Sequence, residues 1–372
     1  VRKIDTEIIL HHFTKSFVGT RKPKMTDVFG ALAEKFDGAY NINFINAEGA
    51  MVVARDPLGF RPLCYSVQDD FIGAASESVG LLNFVKNGIK DINPGELLKI
   101  ENGSAKIQRF AKCKKKAHCM FEYVYFANAA SVMEGRSVYK ARLRLGRNLA
   151  RNEKMDVNDR DHIVVAVPDT ARPAADSMAR NLGIGSLEGL IRNRYVGRTF
   201  IEGMARDERV KEKYNINKSV LKGKKVILVE DSIVRGTTSK SLVNYIRKEG
   251  KPAEVHLRVS CPPIKFPCFY GIDMSTTSEL IASKNMMPGE RDKIGKIDIG
   301  KNALERIRKE IGVDSLQYQT INGLVDGIKL DGGARNLCTA CLTGEYPTYA
   351  GNKLLKKAQQ NARNPTQGRT YE

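Results

Sequence analysis

The run Val226-Ile227-Leu228-Val229-Glu230-Asp231-Ser232-Ile233-Val234-Arg235-Gly236-Thr237-Thr238-Ser239 constrains the fold more than any other stretch of the chain. Four apolar, mostly β-branched residues predict a strand buried on both faces, as in a parallel sheet. The strand runs into two adjacent carboxylates and then into a loop of small and hydroxylated residues. The helical pattern Ser241-Leu242-Val243-Asn244-Tyr245-Ile246-Arg247 follows. Unpaired backbone N–H groups at a helix start attract an anion. Gly236 lets the main chain come close to it, and Thr237, Thr238 and Ser239 add hydroxyl donors. Glu230 and Asp231 are suited to accept hydrogen bonds from sugar hydroxyls or to hold a magnesium ion. The order describes a cradle for a phosphorylated sugar.

A chain of 372 residues predicts two domains. No segment approaches the run of about 20 apolar residues that spans a bilayer, and no signal peptide opens the chain. A cytoplasmic, reducing compartment is expected. The net charge of +19 raises the question of nucleic-acid binding. Basic residues are spread along the chain, however, with no zinc-finger spacing and no RRM-like aromatic motif. The expected partners are small anionic metabolites, with no nucleic acid and no membrane. Seven cysteines do not make a disulfide scaffold in a chain this long. The five histidines form no zinc motif.

Residues 1–108 read as mostly β. Alternation over Ala39–Ile45, the run Met51–Arg55, and Glu96–Ile100 with Ala105–Ile107 around Glu101-Asn102-Gly103 predict strands and a hairpin. Thr26–Phe36 has helical spacing. A basic stretch, Arg109–Lys116, reads as a linker. From about Cys119 onward helices and strands alternate, with a helix over Val138–Arg151 and strands at His162–Pro168, Lys225–Val229 and Glu254–Val259. That alternation predicts a parallel sheet with helices on both faces. Residues 349–372 read as a polar, lysine-rich tail, helical or frayed.

The acid-tipped loop resembles the one by which type I phosphoribosyltransferases bind 5-phosphoribosyl-1-pyrophosphate (PRPP). Its full wording resembles the amidophosphoribosyltransferase family, as do Asp5-Thr6-Glu7, Ala54-Arg55-Asp56-Pro57-Leu58-Gly59-Phe60-Arg61-Pro62-Leu63, Ala75-Ser76-Glu77-Ser78 and Asn93-Pro94-Gly95-Glu96. The resemblance covers about 5–348. It implies an α+β and α/β chain: a partial N-terminal-nucleophile (Ntn) hydrolase β-sandwich, or type 2 glutamine amidotransferase domain, over 1–108, and a type I phosphoribosyltransferase parallel-sheet domain over 119–348. The implied activity opens purine synthesis: PRPP, glutamine and water give 5-phosphoribosylamine, glutamate and pyrophosphate. Implied PRPP contacts are Asp169 and Thr170 after the strand at 163–167, Tyr195 and Arg198 in a mobile loop, and Glu230, Asp231, Ser232, Arg235, Gly236, Thr237, Thr238 and Ser239. Thr170, Glu230 and Asp231 would stand near one Mg²⁺ per subunit. Departures from the family pattern are Glu230 for the commoner Asp, Ala171-Arg172, and Gly203.

On spacing alone, Cys338-Thr339-Ala340-Cys341 suggests zinc or redox chemistry. Cluster-bearing members of the family place cysteines in four contexts, and Cys119, Cys268, Cys338 and Cys341 match them. The resemblance therefore implies a 4Fe–4S cluster that ties the chain's end to the transferase domain. Cys64, Cys113 and Cys261 match no ligand context, and Cys113 is the nearest rival to Cys119.

Mature members of the family begin with a cysteine whose thiol attacks glutamine. This sequence begins with Val1. The expectation is that no residue of the polypeptide serves as that nucleophile, and that it supports only the ammonia-dependent half of the reaction. Asp5 matches a carboxylate that binds the substrate glutamine, or it caps a helix ahead of Thr6–Phe13. The family forms homo-oligomers, so a dimer or tetramer is expected. Two other readings on the same fold are a PRPP-sensing regulator and a nucleobase phosphoribosyltransferase. The β-rich first hundred residues argue against both.

Overall fold

A computed structural model describes residues 5–19, 22–195, 206–274, 276–291, 293–295 and 298–363. Among them no helix is long and apolar enough to cross a membrane.

The first half opens with helices Asp5–Ser16 (α1) and Met25–Lys35 (α2). Strands Asn41–Ile45 (β1), Met51–Arg55 (β2), Cys64–Val67 (β3), Ile72–Ala75 (β4), Lys90–Asp91 (β5), Glu96–Glu101 (β6) and Ser104–Arg109 (β7) follow. They form an antiparallel sheet of order β1-β2-β6-β7 and a second sheet of order β4-β3-β5. Side chains on a strand alternate between faces. Val52 and Ala54 of β2 therefore meet Phe13, Val28, Phe29 and Leu32 of the two helices. Val53 packs the other way, against Leu63, Ile92 and Leu98 between the sheets. The turn joining β1 to β2 is set by Asn46, whose side-chain oxygen accepts from the N–H groups of Glu48 and Ala50.

The second half begins with three two-residue strands, His118–Cys119 (β8), Val132–Met133 (β9) and Arg136–Ser137 (β10). A π-helical turn, Glu122–Phe126, lies between the first two. Helix Val138–Arg151 (α3) is capped by Ser137, which accepts from the Lys140 N–H. Strand His162–Ala166 (β11), helix Arg172–Leu182 (α4) and strands Gly185–Ser186 (β12), Leu190–Arg192 (β13), Tyr214–Ile216 (β14), Lys225–Glu230 (β15), Glu254–Val259 (β16) and Ser315–Tyr318 (β17) follow. Five of them form one parallel sheet, β12-β11-β15-β16-β17. Ile227 and Val229 face α3 and α4, whereas Val226 and Leu228 face the opposite layer. The β-branched run at 226–229 is thus apolar throughout because both faces are covered. α3 and α4 cross closely at Gly146, where a Cβ would lie 2.0 Å from the Ala174 carbonyl oxygen. The chain ends with strand Leu337–Cys338 (β18), which pairs in parallel with β8, and with a helix over Tyr349–Arg363. That helix is docked: Leu355 joins Phe60, Phe266, Tyr270 and Tyr346 in one apolar cluster.

The halves are joined through Arg55, which is 1% exposed. Its guanidinium donates to the carbonyls of Arg61, Ile92 and Gly59, and to Glu134 Oε1 at 2.6 Å, and stands 3.3 Å from His118 Nδ1. Glu134 belongs to the β9–β10 turn of the second half. Burial pushes the His118 imidazole down to about 4 despite the adjacent Glu134 carboxylate, so the neutral ring takes part in this contact. Breaking a buried pair from one side leaves an uncompensated charge. Glu134→Gln is expected to cost about 3 kcal/mol in urea unfolding. A loss below about 1 kcal/mol, the range of an exposed pair, would show that Arg55 is satisfied by carbonyls alone.

Candidate functional site

The acid pair stands where the parallel sheet opens. Ala166 of β11 is level with Val229 of β15, and Glu230 is level with Val259 of β16. Pairing continues past the strands: the Val167 N–H donates to Val229, Ser260 N–H to Glu230, and Cys261 N–H to Asp231. The loops after β11 and β15 therefore emerge side by side at the carboxyl end of the sheet, where ligands bind in open α/β folds.

Burial and mutual repulsion hold Glu230 well above the usual carboxylate range, with the Lys213 cation opposing. Burial likewise pushes Asp231 up to about 6, against the Ser232 hydroxyl and the Arg142 and Lys213 cations. Ser232 donates to Asp231 Oδ1 at 2.6 Å. At Gly236, φ is +75° and a Cβ would fall 2.2 Å from Ile281 Cδ1, so only glycine fits. This residue opens helix Thr237–Tyr245, leaving Thr237 and Thr238 exposed and Ser239 buried. Arg235 is half-exposed, with its Nε 3.7 Å from Glu279.

Asp169 and Thr170 lie at the tip of the neighbouring loop, beyond a cis Pro168–Asp169 peptide. Asp169 is held by Arg192 Nη1 at 2.9 Å, and Arg172 lies 3.9 Å away. Tyr195 is 99% exposed at the last described position before residue 206. Arg198 and Gly203 lie outside the described residues, as does the side chain of Asp5, which opens α1. Sequence reading missed Arg192, Lys213 and Arg142. Their partners are distant in sequence, and a lone basic residue carries no motif.

A cavity of about 720 Å³ lies between the halves. Tyr40, Asn41 and Arg61 line it from one side, Glu122, Tyr125 and Phe126 from the other, and Val234 of the acid-tipped loop reaches it. The Tyr40 hydroxyl and the Asn41 side-chain carbonyl are themselves buried, with no hydrogen-bond partner among the described residues. Arg61 pairs with Glu122 across the cavity wall.

The four candidate ligand thiols converge next to this junction. Cys338 is level with Cys119 across the β8–β18 pair. Cys268 and Cys338 pack against one apolar cluster, and Lys265 and Phe266 donate their N–H groups to the Cys341 carbonyl. The Tyr270 N–H donates to Cys268 Sγ at 3.3 Å. Burial raises all four thiols, Cys119 to about 12, and neighbouring thiols add to the rise of Cys119, Cys338 and Cys341. Among the described residues, no three His, Cys, Asp or Glu side chains stand close enough for a single ion. Cys261 is buried in the same core cluster against which Cys119, Cys268 and Cys341 pack, whereas Cys64 is buried in a separate cluster of the first half and Cys113 is partly exposed.

Two domain families match the chain: a glutamine amidotransferase domain over residues 1–83 and a phosphoribosyl transferase domain over residues 136–265. Fold and site thus define a phosphoribosyltransferase joined to an Ntn-type amidotransferase unit. The chain is 41% identical to the amidophosphoribosyltransferase of Methanothermobacter thermautotrophicus, over 94% of this chain and 68% of that protein. It is 38% identical to that of Bacillus subtilis, over 92% and 67%. The solved B. subtilis glutamine PRPP amidotransferase, complexed with ADP and GMP, superposes with a TM-score of 0.78 at 36% identity, covering 93% of this chain and 71% of that one. The chain belongs to the amidophosphoribosyltransferase family, enzymes of purine biosynthesis.

The acid pair carries a stability signature. Both groups hold protons more tightly folded than unfolded. Their contribution favours the fold below the ordinary carboxylate range and is lost as pH rises through about 6. Glu230→Gln removes the repulsion. The unliganded variant is expected to be more stable than the parent by on the order of 1 kcal/mol at pH 8. Thermal melts should show that advantage shrinking towards pH 4.

Proposed function

We propose that the chain binds PRPP with one Mg²⁺ at the end of β15 and transfers its phosphoribosyl group to ammonia, giving 5-phosphoribosylamine and pyrophosphate. The observation that supports this most is the acid pair, Asp231 buried and Glu230 partly so, held together beside a helix start. Such a pair needs a cation or hydroxyl donors to be stable when charged. Glu230 and Asp231 take the pentose hydroxyls and, with Thr170, the neighbourhood of the metal. Mg²⁺ suits one or two carboxylates completed by substrate oxygens, where it neutralises leaving-group charge.

Ser232, Gly236, Thr237, Thr238 and the N–H groups at the helix start receive the 5-phosphate. Ser239 is buried and shapes that turn. Asp169 orients Arg192 towards the pyrophosphate side, Arg235 and Tyr195 supply the outer wall, and Arg198 is assigned to the phosphates. The anomeric carbon passes through an oxocarbenium-like state, so water must be kept away while the amine attacks. The cavity between the halves reaches from the amidotransferase side to Val234 and offers ammonia a short route to the sugar site. Asp5 is assigned to the glutamine side.

Cys119, Cys268, Cys338 and Cys341 suit a 4Fe–4S cluster by donor set, by burial and by the N–H donor to Cys268. Such a cluster would supply cross-linking of the chain's end, not chemistry on the sugar. A cytoplasmic homo-oligomer completes the reading.

Calorimetric titration with PRPP and Mg²⁺ tests the assignment. Binding should release protons near pH 6, because the metal takes carboxylates that the free chain keeps protonated. Asp231→Asn should weaken binding at least about tenfold and abolish ammonia-dependent product. A folded parent chain that fails to bind would refute the reading. Separately, anaerobically purified protein is expected to be brown, with a broad visible absorption bleached in Cys338→Ser. A colourless, zinc-loaded protein would replace the cluster with a zinc site.

A further inference from the structure

We propose that Arg142 is a positioning residue for amine transfer, acting through the wall of the cavity between the halves. The inference rests on the reading above. The π-helical turn Glu122–Phe126 closes with the Ala127 N–H donating to the Glu122 carbonyl. A turn this wide departs from the ordinary helical ladder and leaves carbonyls that other donors must serve. One guanidinium does so. Arg142, on α3 and 4% exposed, donates from Nε to the Tyr123 carbonyl at 2.9 Å. From Nη2 it donates to the carbonyls of Tyr125 at 3.2 Å and Ala127 at 2.8 Å.

The side chains this turn carries, Glu122, Tyr125 and Phe126, line the cavity, and Tyr125 and Phe126 remain half-exposed. Arg142 has no carboxylate within 4.0 Å among the described residues. The carboxylates whose charge reaches it are Asp231 of the sugar-phosphate site and Glu77 of the amidotransferase half. Glu77 in turn accepts from the Asn128 N–H and the Ser131 hydroxyl just beyond the turn. The guanidinium therefore fixes the backbone from which the side chains of the wall project. A displacement of about an ångström in such a wall is enough to misplace a small nucleophile. Lysine at this position keeps a point charge and loses the planar fork.

The test compares Arg142→Lys and Arg142→Gln with the parent chain in three measurements: ammonia KM and kcat, PRPP–Mg²⁺ affinity, and the melting curve. Arg142→Lys is expected to leave PRPP affinity within about twofold while kcat/KM for ammonia falls about tenfold. Arg142→Gln should lower kcat/KM for ammonia at least as far. Unchanged ammonia kinetics in a folded variant would overturn the proposal. So would an equal loss of PRPP affinity, which marks general damage. If Arg142→Gln does not fold, Arg142→Lys decides alone, and a lysine variant that also fails to fold assigns the residue to folding and overturns the proposal. A parent chain that does not bind PRPP would instead refute the reading on which this one rests.

Discussion

Two carboxylates held next to each other at the mouth of a buried strand repel one another, and the surroundings of β15 are organised around that repulsion. The strand is covered on both faces, and at its end Asp231 is buried while Glu230 keeps only partial exposure. Lys213 and Arg142 approach from separate elements and ease the repulsion without removing it. The result is a site that is uncomfortable when empty and relieved by a cation with hydroxyl donors. Glu230 sits at the last register position of β15, opposite Val259.

The contact between the halves is polar where it matters and apolar around it. Arg55 spreads its donors over a loop, a strand end and a carboxylate from the other half. Glu77 and Ser78 reach across to Asn128, Ser131 and Val132. Phe60 stacks on Tyr270 with ring centroids 4.2 Å apart. Directional bonds fix the register of one half on the other, and the rings exclude water around them. The segment between β8 and α3 is thereby gripped from both sides.

How much of this the sequence disclosed depends on the length over which a signal is written. The strand ending at Glu230 and the loop after it were legible because β-branched run, acids and glycine are contiguous, and Gly236 has the close contact such a loop demands. The helix over Val138–Arg151 was legible from its period. The two-residue strands β8, β9, β10 and β18 are too short to show any period. The helix over Asp5–Ser16 extends beyond the expected Thr6–Phe13, and the tail expected as helical or frayed is a helix through Arg363. Arg55 with Glu134, and Asp169 with Arg192, are meetings of residues far apart in the chain. Nothing local announces them, and only the folded topology brings them together.

The pairing of β8 with β18 has a bearing on how the protein is made. His118–Cys119 leaves the ribosome long before Leu337–Cys338, its only neighbour in that two-stranded sheet. Until β18 has been synthesised, one edge of β8 lacks its strand partner, while the Ala117 and Cys119 N–H groups already have the Leu58 and Phe60 carbonyls of the first half. Long-range closure of this kind is slow relative to local structure. The amidotransferase half can therefore condense early, while its seat on the second half is completed only by the final segment.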